Sequence, residues 1–252
     1  METFQDVTAW FSDPVNWSGP QGIPQRLMEH LQYSWVAVLL AAPVGVALGT
    51  YIGHARRFEF ITVTTANLGR ALPSFAILAL AFPIALHYNL GFSIWPTVAA
   101  LFFLAVPPIL TNTYVGVKEV DADTVESARG MGMSGSQVLR RIEVPLAAPL
   151  IVTGIRTAAV QVVATATLAA VVAGGGLGRF IVDGFARQRG DMILGGAFLV
   201  AALAILTEVF FAFVERSVKP RTASQDRSRF KPPYRHAAQA GRPGGDGYVP
   251  GA

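Results

Sequence analysis

Cysteine is absent from the 252 residues, which excludes a disulfide framework, a thiolate metal site and a cysteine nucleophile. Histidine is scarce: His30, His54, His87 and His236 stand far apart, without the spacing that gathers ligands around a metal, so no metal site is expected. Lysine is rarer still, three against seventeen arginines. No G-x-x-x-x-G-K-[ST] loop occurs, so ATP hydrolysis by this chain is not expected. No serine–histidine or paired-acid constellation emerges either, and an enzyme reading finds little support. Charged residues make up only 14% of the chain, where soluble domains sit near ~25%. The first thirty residues hold acids, prolines and tryptophans in place of a basic start and an apolar core, so no cleavable signal peptide is expected.

What is abundant is apolar sequence: 52% of residues, with mean hydropathy +0.44. Roughly 20 apolar residues cross a bilayer core as a helix, and five stretches meet that length: Tyr33–Gly53, Phe60–Leu86, Pro96–Val117, Leu146–Ala173 and Met192–Val214. The fold class expected is therefore an all-α polytopic membrane protein. Residues 1–32 form a polar N-terminal segment, with a short amphipathic surface helix over Ile23–Tyr33, and 33–217 form the transmembrane domain. Asn67, Arg70 and Pro73 interrupt the second span and predict a kink there. Residues 218–252 are rich in Arg, Pro and Gly, cannot bury enough surface to fold, and read as a disordered tail.

Between the third and fourth spans lies the polar loop 118–145, whose part Asp123–Pro145 carries two helix starts. Asp123 with Glu126 predicts a cap for a first short helix, Gly130 and Gly132 break it, and Ser134 with Gln137 opens a second that runs to about Glu143. Pro145 then closes the unit. Two capped helices on a glycine elbow make a rigid knob, more than an ordinary loop requires.

Charges inside spans are costly and mark cavities or partners. Arg70 and Arg156 are the two cations so placed, and Glu208 calls for a basic partner that the sequence does not name. Gln161 and Thr165 share a face of the fourth span and either line a polar path or join helices. A structural role for both arginines competes with substrate contact. Orientation follows from basic residues: with the knob cytoplasmic, fourteen of the twenty lie on that side, against four opposite. The N-terminus is then outside and the C-terminus in the cytoplasm. Nucleic acid is not needed to explain the net charge of +4.

The pattern Glu126-Ser127-Ala128, then Gly132, Ile142 and Pro145, resembles the EAA signature of permease subunits of bacterial ABC importers, with Ser127 where alanine is usual and Val144 where leucine is usual. The resemblance covers about Leu31–Val214. It implies a five-span type I importer core in the bacterial cytoplasmic membrane, with a cytoplasmic coupling helix that docks on a separate ABC ATPase. ATP would be bound there, and no cofactor by this chain. It implies a second permease subunit (the same chain or a paralogue) and an extracytoplasmic solute-binding protein. Leu168–Gly178 resembles the end of the fourth core span in importers of the betaine, choline and carnitine type, which would put Gly174, Gly175, Gly176 and Gly178 at the outer gate. The expected cargo is a compatible solute such as glycine betaine, carnitine or choline. Methionine or another amino acid is the runner-up, and a stand-alone channel or secondary carrier the rival of another class.

Overall fold

A computed structural model of the chain describes residues 2–56, 60, 64, 74–88, 94–172 and 174–218. All regular structure among them is helical. Helix α1 (Glu2–Ser12) and a 3-10 turn (Pro14–Trp17) precede α2 (Ile23–Ala55); then come α3 (Ser74–His87) and α4 (Trp95–Lys118). The knob contributes α5 (Ala122–Gly130) and α6 (Gly135–Val138), followed by α7 (Val144–Thr165), α8 (Gly178–Ala186) and α9 (Gly190–Val218).

Among the described residues, four helical runs are long and apolar enough to cross a membrane: Ile23–Ala55, Trp95–Lys118, Gly135–Val171 and Gly190–Val218. A shorter apolar helix, Phe75–His87, occupies the second half of the expected second span. Arg70 and the kink expected around it lie outside the described residues, as does the tail from 219 onward.

One boundary differs from expectation. The N-terminal segment is not separate from the first span, because α2 runs unbroken for 33 residues from Ile23. Pro24 sits in its first turn, where a missing N–H costs nothing, and no breaker follows until Pro43. At ~1.5 Å per residue the helix is about 50 Å long, well beyond a ~30 Å hydrocarbon core. Upstream, α1 folds back on α9: Trp10 is buried, with its ring over Gly195 and edge-on to Phe180 at 5.3 Å.

The core lies where α2, α4 and α7 meet, built from Ala37, Ala41, Leu101, Ile109, Ala158 and Val162. Lipid tails are as apolar as side chains, so close backbone approach and van der Waals packing must hold such helices together. Gly45, Gly49 and Gly53 repeat every fourth residue on α2 and let it press directly onto α4. A Cβ on each would fall within 2.8 Å of Ile109, Leu110 or Val117. Helix α9 leaves Phe198, Ile205, Leu206, Phe210 and Phe213 exposed, a face suited to lipid or a partner helix.

Candidate functional site

The knob builds itself around a small core of Val120, Val125, Ala128 and Val138, with Met133 and Ile142 packed at its edge. Its first helix is capped two residues earlier than expected: Asp121, not Asp123, accepts from the Thr124 amide at 2.9 Å and its hydroxyl at 3.0 Å. Val125 and Ala128, three residues apart on this helix, face inward together, and Asp123 lies in the first turn, where its charge suits the helix dipole. The Thr124 amide and hydroxyl hold the Asp121 carboxyl below its ordinary pKa.

The elbow follows the expected pattern. Gly130 ends α5, and Gly132 takes a φ of +84°, left-handed backbone that other residues adopt only at a cost. Ser134 and Gln137 complete a capping box, with the Ser134 amide donating to Gln137 Oε1 at 2.8 Å and the Gln137 amide to Ser134 Oγ at 3.4 Å. Pro145, however, does not close the unit. Helix α6 passes through a π-helical turn, Leu139–Glu143, straight into α7, making one continuous run from Gly135. The wider turn lets the Val144 amide reach back five residues to the Leu139 carbonyl just before the donor-less proline. The knob is thus stiffly joined to its span.

The six EAA positions therefore divide. Ala128 is buried and Ile142 half-buried in the knob core, while Glu126, Ser127, Gly132 and Pro145 are exposed. Met131, 76% exposed at the elbow tip, is an apolar side chain at the surface that sequence reasoning missed. An apolar residue flanked by Gly130 and Gly132 in a polar loop was the available signal. Also missed was the tie between the knob and α2. Glu143 is buried, and its Oε2 lies 2.5 Å from His54 Nδ1. The other ring nitrogen of His54 lies 3.6 Å from where a Cβ on Gly135 would be, so one imidazole bonds the end of the segment and lies near its start.

At the far end of α2 sits the glycine run. Tyr33 Oη accepts from the Gly175 amide at 3.1 Å, and Glu29 Oε2 from the Gly176 amide at 2.8 Å. Arg26 pairs with Glu29 at 2.9 Å. His30 is fully buried, with Nε2 donating to the Val163 carbonyl at 2.9 Å. Gly176 has a φ of +84°. Side chains at Gly175 or Gly178 would overlap Glu29 or the backbone of Thr167. Of the four expected gate glycines, Gly175 and Gly176 are thus clasped by α2, Gly174 donates to the Ala169 carbonyl, and Gly178 opens α8.

Of the four expected path residues Arg70 lies outside the described residues, and Arg156, Gln161 and Thr165 are not brought together. Arg156 faces α9, with Nη1 donating to Glu215 at 2.8 Å and Nη2 to Glu208, which supplies the partner Glu208 called for. Gln161 is exposed, whereas Thr165 lines a slot of about 10 Å³ with Leu78, Thr97 and Leu101. That volume holds at most one water. Two carboxylates sharing one guanidinium repel each other once it is removed. Arg156→Ala is therefore expected to cut the yield of folded, detergent-extracted chain several-fold. Adding Glu208→Gln and Glu215→Gln should recover most of it. Equal elution profiles for wild type and the single variant would refute a structural role for this cluster.

Residues 41–222 match the family described as binding-protein-dependent transport system inner membrane component. The chain is similar to the glycine betaine/carnitine/choline transport system permease protein OpuCB of Bacillus subtilis (strain 168), 40% identical over 77% of this chain and 87% of that one. It is also similar to the osmoprotectant import permease protein OsmW of Salmonella typhimurium (strain LT2), 33% identical over 71% of this chain and 84% of the relative. Among solved structures, the inward-facing MetNI methionine ABC transporter shares the fold. Its TM-score is 0.70 at 20% identity, over 83% of this chain and 100% of that one.

Proposed function

Because the chain belongs to the family of binding-protein-dependent transport system inner membrane components, we propose that it forms the translocation path of an ATP-driven importer for a quaternary-amine osmoprotectant such as glycine betaine, carnitine or choline. The observation that carries this reading is the knob: a cored, doubly capped projection that runs without a joint into a membrane-spanning helix. Such a lug transmits force, whereas a floppy loop would absorb it. A separate ATPase supplies that force, docking at Glu126, Ser127 and the exposed Met131 around the Gly132 elbow. The knob faces the cytoplasm of a bacterial cell, so α2 begins on the outer side and the Gly174–Gly178 turn lies beneath a solute-binding protein that delivers the cargo. A second permease subunit, the same chain or a paralogue, completes the path. Gln161 lies on the exposed surface of α7 and is available to that path; Arg156 is engaged with α9.

The substrate class follows the sequence likeness. Identity is 31–40% to permeases named for choline, carnitine and glycine betaine, against 20% to the methionine transporter. The test is reconstitution of the chain with its ATPase and binding protein in liposomes. Uptake of labelled glycine betaine or choline should require ATP and stop with vanadate. Uptake driven by an ion gradient without the ATPase would refute the importer reading, and ATP-driven uptake of methionine alone would refute the substrate class.

A further inference from the structure

We propose that α2 is a push rod linking the coupling knob to the outer glycine turn, with His54 as its inner handle and Glu29 and Tyr33 as its outer one; this rests on the importer reading above. The inner handle is specific. His54 Nδ1 sits 2.5 Å from the buried carboxylate of Glu143, at the π-helical turn where knob becomes span. Its ring also lies beside Gly135, where the second knob helix starts, 3.6 Å from where a Cβ there would stand. A shift of the knob along its axis therefore cannot occur without moving His54 or breaking a buried polar contact. The outer handle is equally specific, because Glu29 and Tyr33 accept the amides of Gly176 and Gly175.

From Glu29 to His54 the helix rises through 25 steps, about 37 Å at ~1.5 Å per residue. Pro43 removes one helical hydrogen bond along the way. The seam of Gly45, Gly49 and Gly53 against α4 keeps the rod straight by backbone contact beyond that point. The turn can follow the rod because the amides of Gly175 and Gly176 are held by α2 side chains, and Gly176 has left-handed backbone that glycine adopts without strain. His54 and Glu29 act as positioning residues, since each works through the segment it grips.

The experiment measures solute transported per ATP hydrolysed in liposomes carrying the whole complex, with labelled glycine betaine. His54→Ala combined with Glu143→Ala removes the inner handle without leaving an orphaned buried carboxylate. This pair should keep ATP hydrolysis while lowering solute per ATP about tenfold, within the range of ordinary coupling between sites. His54→Gln, whose amide still donates to Glu143, should restore the wild-type ratio. Glu29→Ala with Tyr33→Phe, at the opposite end, should uncouple to a similar degree. Monodisperse elution of each variant with its ATPase shows that the fold is kept. Wild-type coupling in either double variant, or no rescue by glutamine, overturns the push rod. Absence of ATP-driven uptake in the wild-type complex instead overturns the importer reading on which it stands.

Discussion

Gly49→Leu is expected to destabilise the chain by ~3 kcal/mol or more, the upper range for forcing bulk into a packed interior. Even the first added carbon would lie 2.6 Å from the Leu110 carbonyl oxygen and 2.7 Å from Thr113 Cβ. Both belong to α4, whose backbone cannot retreat without opening the core at Ile109 and Ala41. The strain has no flexible side chain to absorb it. With ~2–4 °C lost per kcal/mol in a chain of this size, the melting temperature in detergent should fall by about 6 °C or more. Leu48→Ala is the control: its side chain is 45% exposed one position away, and its loss should stay within ~0.5 kcal/mol. If Gly49→Leu melts with the wild type, the α2–α4 seam is not as close as described.

That seam also shows what a single sequence discloses. Four-residue glycine spacing is visible in Gly45-x-x-x-Gly49-x-x-x-Gly53, yet it names a face and not the helix it meets. Local signals were the most legible. The Ser134–Gln137 capping box and the Gly132 elbow depend on neighbours in sequence, and both stand as read. The first knob cap lies at Asp121 and not at Asp123, two aspartates that local sequence alone does not rank. Pro145 looked like a stop because proline ends most helices; a π-helical turn next to it, set by packing, carries the helix through. The contacts of most functional interest were the least legible. His54 and Glu143 are 89 positions apart, Arg156 and Glu208 are 52 apart, and Glu29 and Gly176 are 147 apart. Hydropathy marks spans but carries no information on which faces meet, so Glu208 could be flagged as needing a partner without that partner being named.

Gly132→Pro is expected to abolish ATP-driven uptake while leaving the chain inserted and extractable. Proline fixes φ near −65°, whereas this residue holds +84° and its amide donates to the Arg129 carbonyl at 2.9 Å. Both features are lost at once, and α5 can no longer meet α6 at its present angle. The damage stays local: a Cβ at Gly132 meets nothing within 4 Å, and none of the membrane-crossing runs includes it. Gly132→Ala should show the graded version, a left-handed strain of ~1–2 kcal/mol and a partial loss of uptake. Glu126→Lys separates geometry from contact. The side chain is exposed, so reversing its charge leaves the knob's core of Val125, Ala128 and Val138 intact. A like-charge juxtaposition at an interface costs several kcal/mol, so the ATPase should co-purify roughly a hundredfold less well. Uptake measured beside co-purification then sorts the cases: proline uncouples a complex that still assembles, and lysine prevents assembly. Wild-type uptake in both variants would mean that force reaches the spans by some route other than this knob.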